Sequence, residues 1–244
     1  MKITVCKDAI ELGQQAGKAA GDHIRNAIAA KGSSSVILAT GASQFETLKQ
    51  LVAEKDIDWS KVTMFHLDEY IGLPVAHKAS FRKYLQERFL GQVKEVGAAY
   101  LINGEKDPGE ECKRLNAIIA QHTIDVALVG IGENGHLAFN DPPADFDTEE
   151  PYIVVTLDEP CRRQQMNEGW FATLEDVPAQ AISMTVKQIM KSAAIICSVP
   201  DKRKAAAVKN TVEQPVSNLF PASILKDHPD CKLYLDPSSA ADLS

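Results

Sequence analysis

Positive charge is in short supply in this chain. Its 244 residues carry 26 Lys and Arg against 33 Asp and Glu, a formal net charge of −7. That balance argues against nucleic-acid binding, because neutralising a polyphosphate needs a cationic excess. A small anion stays compatible, since a local pocket can oppose the global sign. Cysteine is sparse and odd in number: Cys6, Cys112, Cys161, Cys197 and Cys231 are scattered, with no C-x-x-C pair. This argues against a disulfide framework or a zinc knuckle and fits reduced thiols in a cytoplasmic enzyme. No run approaches 18 apolar residues, so no segment reads as a membrane span. The opening residues lack the apolar h-region of a secretory signal and read as a first strand. Repeats, low-complexity tracts and Gly/Ser linkers are missing too, and no composition break divides residues 1–244, which read as one domain. With 45% hydrophobic and 24% charged residues, the composition excludes bulk disorder and supplies a substantial core.

What is present is an alternation of short apolar runs and longer amphipathic stretches. Helical spacing is expected over Ile10 to Ala30, with Gly32 as a stop signal, then over Phe45 to Glu54, Ser80 to Leu90, Gly109 to His122, Val186 to Lys191 and Asp201 to Thr211. Strands are expected at Ser35 to Ala39, Val62 to Leu67, Tyr100 to Ile102, Ile124 to Gly130, Tyr152 to Thr156, Ala193 to Val199 and Lys232 to Leu235. Val177 to Met184 leads into the helix that starts near Val186. This order predicts an α/β fold: a doubly wound, mostly parallel, Rossmann-like sheet with helices on both faces. Ligands in such sheets collect at the carboxyl ends of the strands, so loops that follow strands are the places to search.

Three such loops stand out. Thr40, Gly41, Ala42, Ser43 and Gln44 follow a strand and open a helix. Small residues there let backbone N–H groups approach an anion; an ordinary turn with Ser43 as N-cap is the competing reading. No Gly-Lys-Ser/Thr follows, so this is not a Walker A loop. The second loop, Phe65 to Leu73, places His66, Asp68 and Glu69 directly after a strand. A carboxylate there can serve as a general base if burial raises its pKa, or it can simply cap a turn. His66 and Asp68 lack a third metal ligand nearby, so no metal is expected. The third loop, Gly130 to Pro143, contains a literal G-x-G-x-x-G at Gly130, Gly132 and Gly135. Asn140-Asp-Pro-Pro143 follows too soon for the helix that a dinucleotide fingerprint requires, and no cofactor is expected. The loop presents His136 beside Glu133, Asn134 and Asp141, a plausible proton shuttle.

Taken together, Leu67-Asp-Glu-Tyr-Ile-Gly-Leu73 and Gly130-Ile-Gly-Glu-Asn-Gly-His-Leu-Ala-Phe-Asn-Asp-Pro142 resemble the glucosamine-6-phosphate deaminase/isomerase family. The resemblance extends through Val177 to Met184, Lys204 to Val208 and Pro221 to Leu225, and so spans nearly the whole chain. The related 6-phosphogluconolactonases share the fold and the glycine-rich His loop but lack the Asp-Glu-Tyr-x-Gly-Leu pattern. The resemblance implies conversion of glucosamine 6-phosphate and water to fructose 6-phosphate and ammonia. It implies Asp68 as the base that moves a proton between C2 and C1, with Glu69 in the same motif. It implies His136 as the ring-opening residue, with Asp141 where the family usually has a Glu that partners this His. Asn134 stands where some members carry an acid that tunes it. Thr40 to Gln44 and Gly135 match substrate- and phosphate-binding turns, and Lys204 matches a phosphate-binding lysine.

Many members also carry a phosphate-contacting Arg just before a Phe-Phe pair. Glu168-Gly-Trp-Phe171 places Gly169 at that position, and Arg162 or Arg163 is the expected substitute. Galactosamine-6-phosphate deamination, a 6-phosphogluconolactonase-like hydrolase and an inactive sugar-phosphate-binding module are the alternatives. The expected partner is a phosphorylated amino sugar, without nucleic acid or membrane. Regulated members carry a longer C-terminal segment and form hexamers. The expectation here is an unregulated enzyme, monomeric or a small homo-oligomer.

Overall fold

Small and aliphatic residues at helical spacing build the longest helix. In the computed structural model, which describes all 244 residues, β1 (Lys2–Val5) leads into α1 (Ala9–Lys31). Asp8 caps α1 by accepting from the Glu11 amide, and Gly32 ends it in left-handed backbone. Next come β2 (Ser34–Leu38), α2 (Phe45–Ala53), β3 (Val62–His66), β4 (Asp68–Tyr70) and α3 (Phe81–Leu85), which runs on into a π-helical turn, Gln86–Leu90. β5 (Ala98–Tyr100), α4 (Pro108–Ile119), β6 (Val126–Val129), β7 (Tyr152–Thr156) and α5 (Glu159–Asn167) follow. The chain finishes with β8 (Gln180–Met184), α6 (Val186–Met190), β9 (Ala194–Val199), α7 (Ala205–Glu213) and β10 (Cys231–Leu235).

Seven strands form one sheet in the order β1-β10-β9-β6-β2-β3-β5, and every pairing in it is parallel. Its central strands are buried on both sides, so they read as unbroken apolar runs. Alternate residues enter different cores. Val36, Leu38, Val126 and Leu128 pack with Leu12, Ala16 and Ile24 of α1 and Leu48 of α2. Ile37, Ala127 and Val129 pack instead with Leu115 and Ile119 of α4 and Val208 of α7. The sheet is thus covered on both faces, as the doubly wound reading expects.

Two elements depart from that reading. Asp68 to Tyr70, expected as loop, form a strand in a second, antiparallel sheet of order β4-β8-β7. The helix α5 falls where no element is expected. Asp158 starts it by accepting from the Cys161 amide, with Pro160 in its first turn.

The sheet also sets up the site. β9, β6, β2 and β3 are consecutive neighbours, and the sheet order reverses between β6 and β2. The loops leaving their carboxyl ends carry Lys204, His136, Thr40 to Ser43 and Asp68, in that spatial order. Three strand spacings separate the first from the last, roughly 14 Å at the sheet.

Candidate active site

Successive strand residues point to opposite sides, and β4 uses this to send its adjacent acids in opposite directions. Asp68 lines a cavity of about 330 Å³ at the carboxyl ends of the central strands. Burial, and secondarily the neighbouring Glu69 charge, raise its pKa to about 8. Glu69 points away from the cavity and is fully buried. It accepts from the backbone N–H groups of Tyr70, Phe81 and Arg82 and from the Ser80 hydroxyl. The Arg82 guanidinium lies 3.4 Å away. Burial still pushes Glu69 upward, only partly offset by those hydrogen bonds. The expectation of Glu69 as a site residue is therefore corrected. It anchors the start of α3.

The glycine-rich loop folds back on itself, with the Gly132 amide donating to the His136 carbonyl. A Cβ at Gly132 would overlap the His136 ring, so only glycine fits there. His136 lines the cavity, and its Nδ1 lies 3.0 Å from Asp141 Oδ1. Asp141 reaches His136 despite being one methylene shorter than Glu. Asn134 Nδ2 donates to the same oxygen at 2.9 Å, the Asn134 carbonyl oxygen accepts from the His136 amide, and Asp141 Oδ2 accepts from the Asp158 amide. Burial opposes ionisation of Asp141, but the bonds to His136 and Asn134 outweigh it and hold the carboxyl below its usual range. An ionised Asp141 keeps the Nδ1 proton, which leaves Nε2 for a ligand. Asn134 and Gly135 do not line the cavity. Asn134 bonds both members of the His136–Asp141 pair, at the place where the resemblance sets a tuning group, while Gly135 shapes the loop at φ 88°.

Metal binding finds little support in these donors. His136, Asp141 and Cys161 bring their ligand atoms within 4.8 Å of one another. Both Asp141 oxygens already accept hydrogen bonds, and burial pushes the Cys161 thiol far above its usual value, away from the thiolate a metal needs. His66 is buried outside the cavity, and burial together with Arg82 lowers its pKa to about 3. It gives Asp68 no partner for an ion.

Thr40, Gly41, Ala42 and Ser43 line the cavity beside these groups. Gly41 takes φ 90°, a left-handed conformation that turns the chain into the 3₁₀ turn Ala42–Gln44 and then α2. The start of that helical segment therefore faces the cavity. Gln44 does not face it. Its amide is buried and donates to the Val129 carbonyl and the Ser43 hydroxyl, which corrects its expected contact. Lys204 ends the turn Lys202–Lys204 and lines the cavity, with Nζ 3.7 Å from a Glu168 carboxylate oxygen. Burial lowers the Lys204 pKa, against the pull of Glu168 and Glu133.

Arg162 and Arg163 do not take the place of the Arg missing at Gly169. Arg162 donates to the Leu174 and Val177 carbonyls, and Arg163 is exposed and paired with Glu159. Both lie on the wrong faces of α5. Its cavity side presents Gln164, Gln165 and Glu168, which sequence reasoning misses. The Asp158-x-Pro160 helix start is the signal that could have placed them. Arg203, Asp201, Asp236 and Phe81 also line the cavity, without a sequence signal that marks them.

Comparison with known proteins bears on this arrangement. The profile of the family described as glucosamine-6-phosphate isomerases/6-phosphogluconolactonase matches residues 7–233. A glucosamine-6-phosphate deaminase of Streptococcus pneumoniae serotype 4 is 40% identical over 223 residues, 91% of this chain and 93% of that protein. The solved structure of a monomeric glucosamine-6-phosphate deaminase superposes with a TM-score of 0.89 at 31% identity, covering 99% of this chain and 100% of the other. A 6-phosphogluconolactonase of Trypanosoma brucei shares the fold at a TM-score of 0.79 and 15% identity, covering 100% of this chain and 98% of its own.

Proposed function

The chain belongs to the glucosamine-6-phosphate isomerase/6-phosphogluconolactonase family, and on that premise we propose that it converts glucosamine 6-phosphate and water to fructose 6-phosphate and ammonia. One observation carries the reading: two proton-moving groups of different kind, Asp68 and the Asp141-held His136, face one cavity together with an amide-lined turn and a buried lysine. The cavity has the size of small-ligand sites. A lactonase would use His136 but leaves Asp68 without a task.

In this reading the phosphate sits against the Thr40 to Ser43 turn and Lys204. His136 opens the sugar ring by passing the anomeric hydroxyl proton to the ring oxygen. Asp68, as carboxylate, takes the proton from C2 of the amino aldehyde and returns it to C1. The C2–H bond breaks and a C1–H bond forms, while the C1 carbonyl oxygen gains a proton to become a hydroxyl and the C2 amine gives one up to become the imine. The C2 imine that results adds water and expels ammonia, leaving the ketone. Asp141 holds the His136 tautomer throughout, with Asn134 fixing both. A carboxylate with a pKa near 8 is a stronger base than an ordinary one, which suits a carbon acid beside a carbonyl.

The same reading makes residues 1–244 one catalytic domain, acting as a monomer in the cytoplasm, where its five free cysteines stay reduced. No helix is long and apolar enough to cross a membrane. Incubation with glucosamine 6-phosphate tests the proposal. Ammonia and fructose 6-phosphate appear in equal amounts, and Asp68→Asn abolishes both while sugar-phosphate binding survives. Hydrolysis of 6-phosphogluconolactone without deamination, or full activity in Asp68→Asn, would refute it.

A further inference from the structure

The helix α5 lines the cavity at its end through Gln164 and Gln165, with Glu168 just beyond, and is anchored at its start behind His136. At the start, the Asp158 amide donates to Asp141, which holds His136. At the finish, the Glu168 carboxylate lies 3.7 Å from Lys204 Nζ. The roughly ten residues between those two anchors rise about 15 Å.

Two glutamines on it behave differently. Gln164 has its amide fully engaged: its oxygen accepts from the Glu133 amide, and its nitrogen donates to Glu168. Gln165 lines the cavity and is only 6% exposed, yet its side-chain amide has no hydrogen-bond partner in the protein. Neither of its polar atoms is sealed from the cavity, as the orphaned Tyr70 hydroxyl and His66 Nε2 are sealed in the core. A half-used amide in so enclosed a place has an unmet demand for a donor and an acceptor. A sugar hydroxyl, which donates and accepts at once, meets both.

Helix geometry says which hydroxyl. Gln165 precedes Glu168 by three residues, so it sits on the same side about 4.5 Å nearer the reacting end. With the phosphate at Lys204, C4 lies four bonds from phosphorus, about 5 Å along an extended chain. C1 and C2 are taken by His136 and Asp68. Resting on the proposed deaminase reading, we propose that Gln165 binds the C4 hydroxyl of the sugar phosphate and thereby selects between the glucosamine and galactosamine epimers, which differ only there.

The test compares glucosamine 6-phosphate, galactosamine 6-phosphate and 4-deoxyglucosamine 6-phosphate with the wild-type enzyme and Gln165→Ala. The wild type favours one epimer and loses about tenfold in kcat/KM on the deoxy compound, the loss of one neutral hydrogen bond. Gln165→Ala loses about tenfold on the favoured epimer, little on the other epimer and nothing further on the deoxy compound. An equal fall on all three substrates, or none, overturns the proposal. So does wild-type enzyme that handles the deoxy compound as well as its parent, a measurement needing no variant. Deamination of neither epimer by the wild type would instead strike at the proposed function.

Discussion

Asp68→Asn should stabilise the protein, and increasingly so as pH rises. The carboxyl is buried at the cavity wall, and its pKa stands near 8, raised by burial and then by Glu69. In the unfolded chain it reverts to about 3.9. Between those two values the folded state holds a proton that the unfolded state has released. Stability therefore falls with rising pH across this window, by about 1.4 kcal/mol per pH unit from this one group. From pH 5 to pH 7 the loss reaches roughly 3 kcal/mol, and the fall levels off above pH 8. Asparagine has nearly the same shape and no such titration. Urea unfolding of both proteins at about pH 5, 6 and 7 reads the difference, because groups that do not interact with Asp68 cancel. The variant gains on the wild type with each unit, and in thermal melts each kcal/mol is worth about 2–4 °C for a chain of this size. A difference that stays flat over that range would refute the elevated pKa and the burial argument behind it. In the proposed mechanism, where only the carboxylate accepts the C2 proton, the same group should make log(kcat/KM) rise with unit slope and level off near pH 8.

Three further outcomes follow from the geometry. Glu168→Gln removes a carboxylate that competes with phosphate for Lys204, so KM should fall about three- to tenfold with kcat nearly constant; steady-state kinetics checks it, and a higher KM would make Glu168 a support for Lys204 instead. Gly132→Ala drives a methyl into the His136 ring and should cost at least about 100-fold in kcat, the usual scale of proton-transfer help, while circular dichroism stays unchanged. Glu69→Gln breaks a buried pair with Arg82 and weakens the bonds at the start of α3. It should cost about 3 kcal/mol of stability in a urea titration.

How much of this is legible in the sequence depends on whether chemistry and address lie close together in the chain. The loop with His136, Asn134 and Asp141 is short and carries both its glycines and its polar groups, so the histidine can be recognised locally. The Thr40 turn is visible because a buried strand precedes it and a helix follows. The helix α5 is not visible. Glu159 to Asn167 has no apolar stripe of the kind that marks a packed helix; it is held by its Asp158 cap and by contacts with distant loops. Choosing Arg162 and Arg163 for their charge ignores the turn of roughly 100° between successive helical residues, which carries them off the face that Gln165 and Glu168 share. The strand β4 is hidden for a different reason, because three residues are too few to show alternation. Its partner β8 lies far along the chain, with Asp68 set against Ser183.

The pairing of β4 with β8 sets Asp68 opposite Ser183 and Glu69 opposite Ile182. These acids are chemically near-twins standing side by side, yet the strand turns one to the cavity and the other to Arg82 and the start of α3. A slip of one residue undoes that sorting in either direction: it brings Leu67 to the cavity side with the shorter Asp68 toward Arg82, or Glu69 to the cavity side with Tyr70 toward Arg82. A misaligned chain would thus disturb the buried pair with Arg82 and the cavity wall together. The assembly is in this sense self-auditing: the bonds that hold Glu69 in the interior are the ones that set which acid faces the cavity.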